Sequence, residues 1–194
     1  NLAGGTWCNT AGRGIYVNVQ SSIDTLAEYE ALTSARIYNG WKIQNCTFSY
    51  CRQAVFTSTG LGSGRLIWRD RLDAWDAMRA NDAIPSDWII KNNRFEDLYI
   101  NTLQLVGDDH EFTNNIVRRT LLAGGETNNS AVNGQNNLQI SGRRWNIAYN
   151  YFYDHAALSY KASDQAQIFM DQHPAGSAGQ DGHSTYDSNV HHNW

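Results

Sequence analysis

One hexapeptide pattern recurs along the chain and limits its fold more than any other feature: an apolar residue, two variable residues, asparagine, one variable residue and a large apolar residue. Residues 90–95 carry it around Asn93, residues 112–117 around Asn115 and residues 147–152 around Asn150. Residues 190–194 begin another copy at Asn193, and residues 43–48 hold Cys46 in the asparagine place. Steps along this column are 47, 22, 35 and 43 residues, so one bare unit of 22 residues stands among units that carry insertions. A longer match supports the first. LQLVGDDHEFTNN (residues 103–115) and LQISGRRWNIAYN (residues 138–150) share Leu-Gln-apolar-x-Gly followed, without a gap, by an apolar residue and asparagine at equal offsets. Phe56 lies eight residues after Phe48, as Leu103 lies after Phe95, which places Phe56 opposite Leu103 and Gly60 at the closing glycine.

A 22-residue unit holds two or three short strands with Gly and Asn turns and leaves no length for a crossover helix. Such units stack, and the expected result is a parallel β-solenoid. In this reading each asparagine of the column occupies a tight left-handed bend, which Asn and Gly tolerate. Stacked about 4.8 Å apart, the side-chain amides bond to one another as a ladder, and Leu103, Leu105, Phe112 and Val117 point into the core. Composition agrees with an extracellular or virion-like β protein: 20 Asn, 16 Gly, 10 Tyr and 7 Trp stand against only 18% charged residues. A net charge of -4 argues against a nucleic-acid footprint, and no apolar run is long enough for a membrane span. Cys8, Cys46 and Cys51 lack metal-ligand spacing and read as small packing residues, a Cys8 to Cys51 bridge being the alternative. Asn45-Cys46-Thr47 matches a glycosylation acceptor, but its place at a strand end predicts burial.

The pieces IIKNNRF, FTNNIV and NIAYNYF, with the Leu-Gln-Ile/Leu strands, resemble the right-handed parallel β-helix proteins of the pectate-lyase-like, polysaccharide-depolymerase and phage-tailspike type, over residues 41–194. The resemblance implies an all-β fold, a right-handed parallel β-helix, in a single domain. Residues 1–40 form its N-terminal cap region, with a short helix over residues 22–32 after Ser22, and insertions at about 60–87, 121–137 and 171–186 emerge as long flank loops. The repeat stops midway at Trp194, so a fragment of a longer chain or a multichain assembly, homo-oligomeric included, is expected. By resemblance, the function is binding of an extracellular or capsular polysaccharide on an outward face, with cleavage by lyase or glycoside hydrolase chemistry in the enzymatic branch. The alternative is a non-catalytic structural or adhesive component of a virion or cell surface.

Stacking converts offsets into columns. Five residues beyond Leu103 and Leu138 lie Asp108 and Arg143, and seven beyond lie His110 and Trp145. If residues 166–170 form the next strand with Gln167 under Gln139 and Gln104, the same counts give Asp171 and His173. Asp108 and Asp171 would then stand two rungs apart, about 9 to 10 Å, near the upper limit for an inverting glycosidase pair. Gln104, Gln139, Gln167, His110, His173, Arg144 and the flat ring of Trp145 would bind sugar, Trp145 as a stacking platform. The competing reading of acid, Arg, acid is a surface salt-bridge ladder. A second register puts Lys161 in the Gln column. SYKASD there is similar to the Lys-bearing strand of some β-helix lyases, which implies a base that removes the proton α to a uronate carboxylate, with Arg143 and Arg144 lowering its pKa. Calcium is the ion such lyases would bring, but their acidic ligand pattern is incomplete here, and no cofactor is expected. The Gly107-Asp108-Asp109 element is similar to one in polygalacturonases, without the residues that should follow. His183, His191 and His192 with Asp181 and Asp187 are not expected to hold a metal, because adjacent His191 and His192 on a strand face opposite ways.

Overall fold

The computed structural model describes residues 2–3, 6–7, 12–18, 39–58, 85–99, 101–120, 137–154, 168–170 and 187–194. These residues are all-β, without a helix, and their strands lie in three parallel sheets. The first sheet runs β1 (Leu2–Ala3), β4 (Lys42–Gln44), β7 (Ile89–Lys91), β10 (Glu111–Thr113), β13 (Asn146–Ala148) and β16 (Asn189–His191). The second holds β2 (Thr6–Trp7), β5 (Thr47–Ser49), β8 (Arg94–Glu96), β11 (Ile116–Arg118) and β14 (Tyr151–Tyr153). The third holds β3 (Arg13–Asn18), β6 (Gln53–Ser58), β9 (Leu103–Val106), β12 (Leu138–Ser141) and β15 (Ile168–Met170). The chain visits the three in rotation, and each passage stacks on the one before. Leu103 and Leu138 are direct backbone neighbours, as are Gln104 and Gln139.

Inward side chains follow the hexapeptide. Ile43, Ile90, Phe112 and Ile147 form one column, and Phe48, Phe95 and Val117 another, all fully buried. Phe48 stacks on Phe95 with ring centres 5.1 Å apart. Each such side chain contributes about 1.5–3 kcal/mol on burial. Leu103, Leu105 and Leu138 line the third wall.

The asparagine column is an amide ladder. The Asn93, Asn115 and Asn150 backbone N–H groups each donate to the side-chain oxygen of the next rung's asparagine, at 2.9, 2.9 and 3.0 Å. Cys46 N–H starts the series on Asn93 Oδ1 at 2.9 Å. Each Nδ2 also donates backward to a carbonyl, from Asn93 to Ile43, Asn115 to Ile90, Asn150 to Phe112 and Asn193 to Ile147.

The expectation that these asparagines occupy the left-handed bends is corrected. The left-handed residue is the one before each: Asn45, Asn92, Asn114, Tyr149 and His192, with φ between 50° and 60°. Two further corners repeat the device, at Tyr50, Asp97, Arg119 and Asp154, and at Gly40, Asp87, Asp109, Arg144 and Asp187. After such a turn the following side chain points inward. Cys46, Asn93, Asn115 and Asn150 are buried in the first corner, Cys51, Leu98 and Thr120 in the second, and Trp88, His110 and Trp145 in the third. Asparagine is therefore selected at the inward position for its amide, which serves backbone groups that water cannot reach.

Two sequence counts shift. Phe56 pairs with Gln104, and Val55 with Leu103, because the corner after Phe48 is one residue shorter than the corner after Phe95. Phe169, not Gln167 or Lys161, follows Gln139 in the third sheet. The stretches expected as an N-terminal helix and as insertions fall wholly or mainly outside the described residues. Cys46 and Cys51 are buried, their thiols donating to the Gln44 and Ser49 carbonyls.

Candidate functional site

Corner parity decides where the sequence-derived candidates face. Asp108 precedes the left-handed Asp109 and is 5% exposed. Its Oδ1 accepts the Arg143 backbone N–H at 2.9 Å, its own N–H donates to the Pro85 carbonyl, and its carbonyl accepts the Asp87 N–H. Asp108 thus ties three rungs together at the third corner. The close packing there explains Gly107 and Gly142. Both take left-handed φ, 140° and 124°, and a Cβ on Gly142 would collide with the Gly107 carbonyl.

His110 and Trp145 are vertical neighbours as counted, with ring centres 4.7 Å apart, but each is 1% exposed. They follow left-handed residues and face the interior, so the expected sugar-stacking platform on Trp145 is absent. Trp145 Nε1 donates to the Gly107 carbonyl at 3.0 Å. His110 Nδ1 accepts the Trp88 backbone N–H at 3.1 Å, doing for this corner what the asparagines do for the first. Gln104 is half-buried and accepts from Gln53 Nε2 at 3.2 Å. Arg143 is half-buried, and its carbonyl accepts the Asp109 N–H. Gln139 shares this sheet through its backbone. Asp171, Lys161, Gln167 and His173 lie outside the described residues.

The acid-and-arginine ladder exists one residue along from the expected one. Arg144 forks onto Asp109, Nε to Oδ1 at 2.6 Å and Nη2 to Oδ2 at 2.7 Å, on an exposed corner. Arg119 grips Asp97 identically in the second corner, at 2.6 and 2.8 Å. On the second sheet, Glu96 Oε2 accepts from Arg94 at 2.8 Å and Arg118 at 2.6 Å. These contacts set the electrostatics. Hydrogen bonds from Arg119 hold the Asp97 carboxyl below its usual value, and those from Arg144 do the same to Asp109. Burial would raise Glu96, but Arg94 and Arg118 outweigh it and the carboxyl is lowered.

Outward from the same sheet lies a surface that sequence counting missed. Tyr151 and Tyr153 of β14 stand over Ile116 and Arg118 of β11, which stand over Arg94 and Glu96 of β8. Tyr151 is 51% exposed, and its ring centre lies 5.1 Å from that of Tyr153. Tyr149, Tyr50 and Tyr99 are exposed as well. The signal was present in the alternation Tyr-Phe-Tyr, where an inward Phe152 requires two outward tyrosines. Asn45, expected to be buried, is exposed, since the left-handed residue of each corner faces solvent.

No group of three or more metal-ligating side chains occurs among the described residues, and no described helix is long and apolar enough to cross a membrane. Comparison with protein-family models, with curated proteins and with solved structures finds no match to this chain.

Proposed function

We propose that the chain is a right-handed parallel β-helix of the pectate-lyase-like and tailspike type that recognises an extracellular or capsular polysaccharide on the outer face of its second sheet, in an extracellular, virion or cell-surface setting. The observation that carries this reading is the juxtaposition of exposed Tyr151 and half-buried Tyr153 with the Arg94, Glu96 and Arg118 cluster across three adjacent rungs. Tyrosine offers an apolar ring face to the C–H face of a pyranose and a hydroxyl at its rim. Charged groups beside it select sugar hydroxyls or carboxylates. Rung and side-chain spacings of about 5 and 7 Å are commensurate with successive sugar contacts along a chain.

Binding is favoured over hydrolysis at the Asp108 column. A glycosidase general acid needs a raised pKa, whereas Asp97, Asp109 and Glu96 are all lowered, and Asp108 is buried and bonded to backbone. A non-catalytic structural or adhesive role is the second reading, favoured by the arginine forks at two corners, which brace rungs without needing a ligand.

The test is affinity electrophoresis of the purified chain in gels containing acidic and neutral polysaccharides, with reducing ends and unsaturated uronate followed in parallel. Retardation by at least one polysaccharide, reduced in Tyr151→Ala, supports the reading. Free migration in every gel refutes it and leaves the structural role.

A further inference from the structure

The two histidines at the end of β16 form a separate cluster, and their chemistry does not depend on the glycan reading. A regular strand would send His191 and His192 to opposite faces. His192 instead takes φ 50°, and that turn brings the imidazoles together, Nδ1 to Nδ1 at 2.7 Å. The rings are 5.0 Å apart and nearly perpendicular, at 88°. Tyr149, one rung below His192, stacks on that ring at 5.2 Å and meets His191 edge-on at 5.3 Å. This arrangement overturns the expectation, drawn from strand alternation, that the two side chains face opposite ways.

We propose that His191 and His192 chelate a divalent transition-metal ion through their Nδ1 atoms, as cis ligands of a tetragonal site suited to Cu(II). With metal–nitrogen bonds of about 2.0 Å, cis donors at a right angle stand about 2.8 Å apart, whereas donors at the tetrahedral angle stand about 3.3 Å apart. The observed 2.7 Å lies nearer the right-angle separation than the tetrahedral one. Without a metal, two ring nitrogens at this distance share a proton as an N–H···N hydrogen bond, and a divalent cation would displace that proton and take both lone pairs. Nitrogen donors also favour Cu(II) over Ni(II) and Zn(II) in the general affinity order. His192 is exposed and His191 half-buried, so water completes the coordination from the solvent side. Tyr149 is a positioning residue that restrains both rings through its faces and edge.

The 194-residue chain is titrated with Cu(II), followed by calorimetry and electron paramagnetic resonance, beside His191→Gln, His192→Asn and Tyr149→Phe. Asparagine is chosen at 192 because it tolerates the left-handed conformation. One copper per chain is expected, with a spectrum showing two imidazole nitrogens. Each histidine variant should lose one nitrogen signature and bind more than about tenfold more weakly, with an unchanged melting curve, while Tyr149→Phe retains both nitrogens. Zn(II) should bind more weakly than Cu(II). The proposal is overturned by absence of copper binding, by an unchanged nitrogen count and affinity in both histidine variants, or by Zn(II) binding as tightly as Cu(II).

Discussion

Replacing Asn115 by alanine tests the ladder at its driest point. Asn115 is 1% exposed and makes four side-chain hydrogen bonds: Nδ2 to the Ile90 carbonyl and to Asn150 Oδ1, both at 3.0 Å, and Oδ1 from Asn93 N–H at 2.9 Å and from Asn93 Nδ2 at 3.2 Å. The losses are unequal. Asn150 Oδ1 keeps the Asn115 backbone N–H as a donor, but the Asn93 N–H loses its acceptor inside a residue that is 2% exposed. Two donor groups on Asn93 are compromised, and an unsatisfied buried donor costs about 1–3 kcal/mol, so the expected loss centres near 4 kcal/mol once the small cavity is added. That is a large share of the 5–15 kcal/mol that holds an ordinary domain together, and it corresponds to about 8–16 °C in melting temperature for a chain of this size. Asn193→Ala is the control. It deletes the same amide, with bonds to Asn150 and Ile147, and likewise removes the acceptor of a buried N–H, that of Asn150, but from a half-buried rung where water can enter as a substitute acceptor, so a smaller loss of about 1–2 kcal/mol is expected. Urea unfolding of both variants, followed by circular dichroism, measures the difference. Should Asn115→Ala lose no more stability than Asn193→Ala, the premise that these amides act by satisfying dry backbone groups is wrong.

Further expectations follow from the corners and from the proposed face. Gly142→Ala should cost more than about 3 kcal/mol or prevent folding, because its Cβ meets the Gly107 backbone and φ is 124°; soluble yield and melting temperature report this. Asp97→Asn should lower stability at neutral pH by removing the fork from Arg119. Since the folded carboxyl is lowered, its contribution is complete above the ordinary carboxylate range and is lost as pH falls through the folded value, so the difference from the parent should hold from pH 7 down to the ordinary range and begin to shrink below about pH 4 in melts collected from pH 7 to 3. Tyr151→Ala should leave the melting temperature within about 2 °C of the parent, since the side chain is half exposed, while reducing retardation in polysaccharide gels.

Spacing alone determined the stacking. The apolar-x-x-Asn-x-apolar column and the ungapped Leu-Gln match can hold only if distant segments share a register, and Leu103 does lie against Leu138. The same periodicity exposed the core columns and the amide ladder, because hydrophobic alternation and buried-amide chemistry are local properties of each repeat. The candidate site was not legible in this way. Each corner inserts a left-handed residue that resets strand alternation, so Trp145 and His110 turn inward, Arg144 and Asp109 become the ion pair, and His191 and His192 converge. Counting residues cannot reveal that reset, since Tyr149, Arg119 and His192 take left-handed φ although their residue types do not mark a left-handed turn as Gly or Asn does. Register along the stack was thus written in the chain, whereas the direction each side chain faces beyond a corner was settled by tertiary contact.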